Sequence, residues 1–163
     1  EIAFQAALTG HLILTTFHAG GTAEAISRLV DMGLEPYALR SGLRGLISQR
    51  LFRKLCACSQ TTDRNEELCG LAVGSAKFAV GCEQCHQTGY IDRILIAECL
   101  PPLTGELGQA VLAKRDAQSI EAIAIAGGMS PLCEMAMAEV AAGNISPLEY
   151  RRILGHKSNS SSV

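Results

Sequence analysis

Four cysteines form two close pairs in the chain, Cys56 and Cys58 in "RKLCACSQ" and Cys82 and Cys85 in "GCEQCHQTGY". Thiolates are good zinc ligands, and a structural zinc site folds two such short pairs into a tetrahedron. A single pair could instead be a redox dithiol, but such dithiols open a helix after a strand, and Cys82 does not. The residue types and their spacing therefore favour a metal site with four sulfur ligands.

Two other interpretations of these cysteines stay open. The pair Cys56-Ala57-Cys58 has a one-residue spacer where zinc sites usually have two or more, so Cys69 or His86 could replace one ligand. The chain could also have kept the cysteines and lost the metal. Seven cysteines are an odd number for a disulfide scaffold, and reduced thiols in a cytosolic setting fit better.

A second candidate group is the pair of histidines in "TGHLILTTFHAG", with His11 before an apolar run and His18 after it. The apolar run at residues 12–14 predicts a strand over residues 11–18 that is buried on both faces, as in a parallel sheet. Ligands bind beyond the carboxyl ends of such strands, where Thr16 and His18 lie. The His18 imidazole could donate to a phosphate oxygen there, or it could simply cap a loop carbonyl or face solvent.

The elements that must position these groups alternate in type. Residues 22–32 and 36–48 predict helices, and residues 49–55 predict a strand, which is the rhythm of an α/β domain. Residues 56–98 carry five of the seven cysteines with weak periodicity and predict a loop-rich insert. The first part of the fold is therefore predicted to be α/β, followed by an insert that a metal would organise.

The remainder of the chain predicts a small helical subdomain over residues 99–156 and a disordered tail over 157–163. Ser146 is followed by Pro147 at the first helical position, where the missing N–H of proline costs nothing. Ser146 and Glu149 also have the spacing of a capping box. A helix is therefore predicted to begin at this point.

Composition excludes several classes of protein. With 163 residues, 48% of them hydrophobic, the chain is long enough to bury a core. A formal net charge of −2 gives no electrostatic reason to expect nucleic acid as a partner. Because no apolar run approaches the roughly 20 residues of a spanning helix, we expect no direct insertion into a membrane.

Three motifs occur in an order that resembles the secretion ATPases, the assembly ATPases of bacterial type II secretion and type IV pili. The first, "TGHLILTTFH" at residues 9–18, is similar to the family's His box. The second, "RLVDMG" at 28–33, and the third, "QRLFRKLC" at 49–56, are similar to its later motifs. The segment "GYIDRILIAE" also resembles a family motif, although Asp92 and Leu95 replace two glycines, so we expect the local turn to differ.

The resemblance implies a fold and a place in a larger protein. The chain would be the C-terminal part of a RecA-like P-loop ATPase core, with residues 1–55 as its distal part, residues 56–98 as a zinc-binding insert and 99–156 as a helical subdomain. In the family, the Walker elements that hold ATP and Mg²⁺ precede the His box. We therefore expect the full-length protein to hydrolyse ATP, and this chain alone neither to bind ATP tightly nor to hydrolyse it.

The resemblance also implies roles for individual residues. His11 and His18 would be catalytic residues that sense the γ-phosphate, and Thr16 and Arg28 would contribute to nucleotide binding. Zn²⁺ would be structural and would fold the insert. For Arg28, Arg50 and Arg53 the open alternatives are a solvated or salt-bridged surface and packing at a subunit interface.

The implied assembly is a cytoplasmic homohexamer at the periphery of the inner membrane. Its partners would be other copies of itself and the inner-membrane platform proteins of a secretion or pilus system. A rival interpretation is a non-catalytic zinc-binding adaptor that docks on the same membrane components.

Overall fold

The computed structural model describes residues 2–155, in which helices and short strands are mixed, so the coarse α/β prediction is confirmed. The helices are α1 (Ile2–Leu8), α2 (Thr22–Asp31), α3 (Pro36–Gly42), α4 (Asn65–Leu68), α5 (Gly105–Leu112), α6 (Ala117–Ala126), α7 (Leu132–Ala141) and α8 (Pro147–Leu154). The strands are β1 (Leu46–Leu55), β2 (Gln60–Thr62), β3 (Ala76–Phe78) and β4 (Tyr90–Leu100). Within the described range, no helix combines the length and the apolar character needed to cross a membrane. The predicted tail at 157–163 lies outside the described residues.

The strands form two small ribbons, β1 with β4 and β2 with β3. In the second ribbon the strands are antiparallel, with Thr61 opposite Lys77. At one end of the first ribbon, the backbone N–H of Cys56 donates to the carbonyl of Gly89 at 3.0 Å. The end of β1 and the start of β4 therefore bring the two cysteine pairs to the same place.

The predicted strand at residues 11–18 is wrong, because this segment has no regular secondary structure. Its apolar side chains are exposed instead of buried, with 81% of Leu12 and 87% of Leu14 accessible to solvent. A strand exists only where a neighbouring strand supplies backbone partners. Among residues 2–155 we find no backbone hydrogen bond to residues 12–17.

The described chain divides into two compact units, each made from two separated stretches. The first unit contains residues 2–48 and 97–131, and the second contains residues 49–96 and 132–155. This packing differs from the linear division predicted from the sequence, since the helices of 99–131 join the N-terminal stretch. The predicted functional boundaries at residues 55 and 98 stay predictions.

The core of the first unit forms around α2, where apolar residues recur at helical spacing. Ile26 and Leu39 have no exposed surface, and Leu100 from the end of β4 is equally buried. Helices α5 and α6 complete this core with Val111 and Ile120. The packing fixes α2, whose first residue lies four positions after His18.

The core of the second unit forms around Phe52 of β1 and Ile96 of β4. Alternate residues are buried in the last part of β4, at Ile96, Glu98 and Leu100, which is the two-residue period of a strand with one face on a core. In β1 the buried residues are Phe52 and Leu55. Helices α7 and α8 contribute Ala136 and Tyr150, and α4 contributes Leu68. This core holds the two ribbons whose ends carry the cysteines.

Candidate functional site

The Sγ atoms of Cys56, Cys58, Cys82 and Cys85 lie within 4.8 Å of one another. Three of the pairwise distances are 3.9 Å for Cys56–Cys82, 3.9 Å for Cys58–Cys85 and 3.7 Å for Cys82–Cys85. Four sulfurs held tetrahedrally at about 2.3 Å from a zinc ion are about 3.8 Å apart. The cluster therefore has the dimensions of a tetrahedral metal site and could hold a metal ion.

The first cysteine pair lies in a tight turn that directly follows β1. The backbone N–H of Ser59 donates to the carbonyl of Cys56 at 3.0 Å, which closes the turn. Cys56 is itself fixed to Gly89 at the start of β4. The one-residue spacer at Ala57 therefore does not prevent both thiols from facing the second pair.

The second cysteine pair lies on a single 3₁₀ turn, Glu83–Cys85. The backbone N–H groups of Cys82 and Gly89 both donate to the Sγ of Cys85, each at 3.2 Å. The chain leaves the turn through His86 and Gln87, whose φ angles are +52° and +62°, and reaches Gly89 at +75°. These left-handed residues bring the N–H of Gly89 to the sulfur, and together with the N–H of Cys82 it stabilises a thiolate.

Two thiols of the cluster, those of Cys58 and Cys85, have shifted pKa values. Burial opposes ionisation of Cys85, but the N–H groups of Cys82 and Gly89 outweigh it and lower its pKa to about 6. For Cys58 the N–H of Gly81 favours the thiolate, yet burial and the three neighbouring sulfurs raise its pKa to about 11. Without a metal, one thiolate forms readily and suppresses the next, because like charges a few ångströms apart repel. A bound cation would remove that repulsion.

The alternative ligands considered from the sequence lie outside this cluster. The Sγ of Cys69 lies 3.6 Å from the carbonyl of Glu67 and 3.8 Å from that of Glu66, and the carbonyl of Cys69 accepts from Nε of Arg151. Among the described residues, the cluster that could hold a metal ion consists of the four predicted cysteines without His86.

An ion network around the buried Glu149 adjoins the cysteine cluster through Tyr90, the residue after Gly89. The guanidinium of Arg53 lies 4.2 Å from the centre of the Tyr90 ring and 2.8 Å from Oε2 of Glu149. The Tyr90 hydroxyl is 2.8 Å from Oγ of Ser146, the N-cap of α8. Of the two roles considered for Arg53, a salt-bridged surface or packing at a subunit interface, its contacts within this chain therefore fit the salt bridge.

The predicted histidine site lies in the exposed segment before α2. The carbonyl of His18 accepts from Nη1 of Arg28 at 2.6 Å, and the guanidinium lies 5.7 Å from the centre of the Phe17 ring. His11 is held separately, with its Nδ1 3.1 Å from Oγ1 of Thr9. The structure thus brings Arg28 to His18, whereas the chemical roles given to His11, Thr16, His18 and Arg28 stay predictions.

Two carboxylates that sequence reasoning did not assign hold the backbone just after His18. Oε2 of Glu24 accepts from the N–H of Gly20 at 2.9 Å. Oε1 of Glu98 accepts from both the N–H and the Oγ1–H of Thr22, at 2.8 and 3.0 Å. The signal for Glu98 was present in the motif-like segment "GYIDRILIAE", of which it is the last residue.

That segment also shows how the chain tolerates the loss of a glycine. Asp92 replaces a glycine of the family motif and has φ of +67°, a conformation that glycine adopts easily and aspartate better than most residues. Its Oδ1 accepts from the N–H of Arg93 at 2.7 Å, which supports this left-handed residue within β4.

Comparison with known proteins identifies the family. The Type II/IV secretion system protein family matches residues 1–152, so this chain belongs to that family. The resemblance found from the His box and the later motifs is therefore confirmed.

Individual relatives include proteins of both transport systems. The chain is 40% identical over 153 residues to type II secretion system protein HxcR of Pseudomonas aeruginosa, covering 94% of this chain and 30% of that protein. It is 45% identical over 105 residues to type II secretion system protein E of Dickeya dadantii, covering 61% and 21%. It is 38% identical over 143 residues to the type IV pilus assembly ATPase PilB of Thermus thermophilus, covering 82% and 16%. The chain thus spans less than a third of the length of these relatives.

Proposed function

We propose that this chain is the C-terminal part of a cytoplasmic, hexameric ATPase that powers type II protein secretion or type IV pilus assembly. The observation that carries the proposal is the family match over residues 1–152, together with relatives that are named for these two systems. The relatives are more than three times as long as the matched stretch, which leaves room for a phosphate-binding loop in a longer protein.

The exposed apolar segment at residues 12–17 supports the proposal that residues 1–55 belong to a RecA-like core. Leu12 and Leu14 are almost fully exposed, and residues 12–17 have no backbone partner among the described residues. An apolar strand of a parallel sheet would have these properties if its neighbouring strands belonged to another stretch of chain. In the longer protein, strands supplied by that stretch would cover this segment.

In that setting the residues around His18 would face the nucleotide. His18 would donate a hydrogen bond to charge that develops on the γ-phosphate, and ATP and Mg²⁺ would be held mainly by elements outside this chain. Arg28, whose Nη1 holds the His18 carbonyl, would orient the segment, and Thr16 and His11 would line the same site.

The test is the substitution His18→Ala in the longer ATPase. We expect turnover to fall by about tenfold to a thousandfold with nucleotide affinity nearly unchanged, because one transition-state donor is lost. The exposed histidine of the insert provides the matched control, and His86→Asn, which tolerates the φ of +52° at this position, should leave turnover unchanged. Turnover of the His18 variant equal to that of the parent protein would overturn the proposed role.

We further propose that the tetracysteine cluster binds one structural Zn²⁺. Cys56, Cys58, Cys82 and Cys85 would supply all four ligands, so no position stays open for substrate, and the ion would contribute folding energy rather than catalysis. The sulfur–sulfur distances near those of a zinc tetrahedron support the assignment.

Zinc content of the protein purified without added metal tests this assignment. We expect one zinc per chain by elemental analysis, and none in the Cys82→Ser or Cys85→Ser variants. Because all four sulfurs converge, Cys56→Ser and Cys58→Ser should lose zinc as well. Cys99→Ser is the matched control, since this exposed cysteine lies outside the cluster. A folded, zinc-free protein with free thiols would overturn the assignment.

The assembly partners belong to the same proposal. The ATPase would form a homohexamer at the periphery of the inner membrane and would act on the platform proteins of its secretion or pilus system. The relatives' names support the two systems in general and do not distinguish between them.

A further inference from the structure

The backbone that carries His18 is connected to the core of the first unit over very few residues. His18 is exposed, and α2 begins at Thr22, which is buried. Two glycines, Gly20 and Gly21, lie between them and restrict the chain little by themselves. The direction in which His18 leaves the core is therefore set by contacts to residues 18–22.

Glu98 makes the buried contact of this set. Thr22 is 2% exposed and Glu98 is 7% exposed, and the two are joined by hydrogen bonds from both the N–H and the hydroxyl of Thr22. A Cβ on Gly21 would lie 3.2 Å from Oε1 of Glu98, so the carboxylate packs directly against the backbone. Glu98 thus caps α2 from a strand 76 residues away in sequence.

The usual way to cap a helix is a side chain of the N-cap residue itself. The N-cap of α2 is Gly21, which has no such side chain, and the carboxylate of Glu98 takes its place. A carboxylate at this position also interacts favourably with the positive end of the helix dipole. Removal of Glu98 would therefore leave the start of α2 without its buried acceptor.

We propose that Glu98 is a positioning residue for His18, fixing the backbone of residues 18–22 through the start of α2. Two exposed contacts assist it from within α2 itself, Glu24 to the N–H of Gly20 and Arg28 to the carbonyl of His18. The inference rests on the proposed function only in one respect, namely that a fixed His18 would serve ATP hydrolysis. The positioning itself concerns residues of this chain and is measured without ATP.

The experiment uses NMR on this chain with the variants Glu98→Ala and Glu98→Gln. In Glu98→Ala we expect amide hydrogen exchange at Thr22 to rise about tenfold or more, since a buried charged acceptor is lost. The ring Cε1–Hε1 signal of His18 should shift in the same variant. In Glu98→Gln the amide oxygen still accepts, so the rise should be under about threefold and the His18 signal should stay near its original position.

The exposed Glu106 on α5 of the same unit provides the matched control, and Glu106→Ala should change neither measurement. Faster exchange at Thr22 with an unmoved His18 signal would overturn the proposal, because Glu98 would then only cap the helix. If Glu98→Ala does not fold, Glu98→Asp takes its place, since it keeps the buried charge and withdraws the carboxylate from both donors of Thr22. An unmoved His18 signal in that variant would equally overturn the proposal.

The two proposals fail separately. A moved His18 signal in Glu98→Ala together with normal turnover of His18→Ala in the longer ATPase would keep the positioning role and overturn the catalytic one. An unmoved signal together with low turnover of His18→Ala would do the reverse.

Discussion

The carboxylate of Glu149 on α8 accepts the backbone N–H of Arg53 on β1 at 2.8 Å, across 96 residues of sequence. The Glu149 side chain has no exposed surface, and the Arg53 and Arg152 side chains, which are 40% and 50% exposed, both donate to it. A buried carboxylate with two cationic partners is stable as an ion but costly to leave incomplete. This contact joins α8 to the strand that leads into the cysteine cluster.

Removal of this carboxylate should destabilise the second unit. For Glu149→Ala we expect a loss of about 1–3 kcal/mol in the free energy of unfolding, because the backbone N–H of Arg53 loses its acceptor and two half-exposed arginines lose their shared partner. Urea unfolding followed by circular dichroism measures it. The exposed Glu134 on α7 is the matched control, and Glu134→Ala should change stability by less than about 0.5 kcal/mol. Equal effects of the two substitutions would contradict the role of the network.

The same network predicts an acid-dependent loss of stability. Burial alone would raise the pKa of Glu149, but the donors on Arg152 and Arg53 outweigh it and lower the pKa from 4.5 to about 2. A carboxyl with a depressed pKa in the folded state contributes stability above its unfolded pKa, and that contribution is lost as pH falls toward 2. The urea midpoint of the parent chain should therefore fall between pH 4.5 and 2 more steeply than that of Glu149→Gln. Parallel curves would show that other groups govern the acid response.

The left-handed turn at Gly89 should be required for metal binding. A Cβ at this position would lie 2.6 Å from Cβ of Ala79 and 3.0 Å from N of Val80, and φ is +75°. Gly89→Ala should therefore displace the N–H that points at Cys85 and lower zinc content of the purified chain. Gly74→Ala serves as control, because a Cβ there meets no atom within 4 Å. Full zinc content in the Gly89 variant would show that the turn adapts without cost.

A substitution in the apolar segment before His18 should affect the stability of this chain and that of a longer protein differently. Leu14 is 87% exposed here, so Leu14→Lys should change the stability of this chain by less than about 0.5 kcal/mol. In the longer ATPase the same substitution should be strongly destabilising, because the segment would become a buried strand. Thermal unfolding of both proteins measures the difference. A large loss in the short chain would contradict the exposure of this segment.

Local signals in the sequence predicted the local features of this molecule. The cysteine spacing predicted which four thiols lie together, because a tetrahedral site needs two short pairs. Ser146 was predicted as a helix cap, and its Oγ accepts from the N–H of Glu149 at 3.2 Å. Only half of the predicted capping box is a cap, however, since the Glu149 carboxylate is directed to Arg53 and Arg152.

Contacts between distant parts of the chain were not predictable from these signals. Neither the Glu149–Arg53 contact nor the Glu98–Thr22 contact has a periodicity or a spacing that would reveal it. The strand predicted at 11–18 failed for a related reason, because an apolar run shows that a segment prefers burial and not whether a partner is available to bury it. Likewise, the patterns of consecutive segments do not reveal that two separated stretches of sequence pack into one compact unit.

The interleaved stretches of the two units have a consequence for synthesis on the ribosome. Ile26 is synthesised almost a hundred residues before Ile120 and Ala124, which belong to the same core cluster. At about 5–20 residues per second, the apolar face of α2 waits several seconds for these neighbours. The nascent chain therefore passes through a stage in which the first halves of both units are complete and neither core is closed, and this is the stage at which a chaperone would have most to protect.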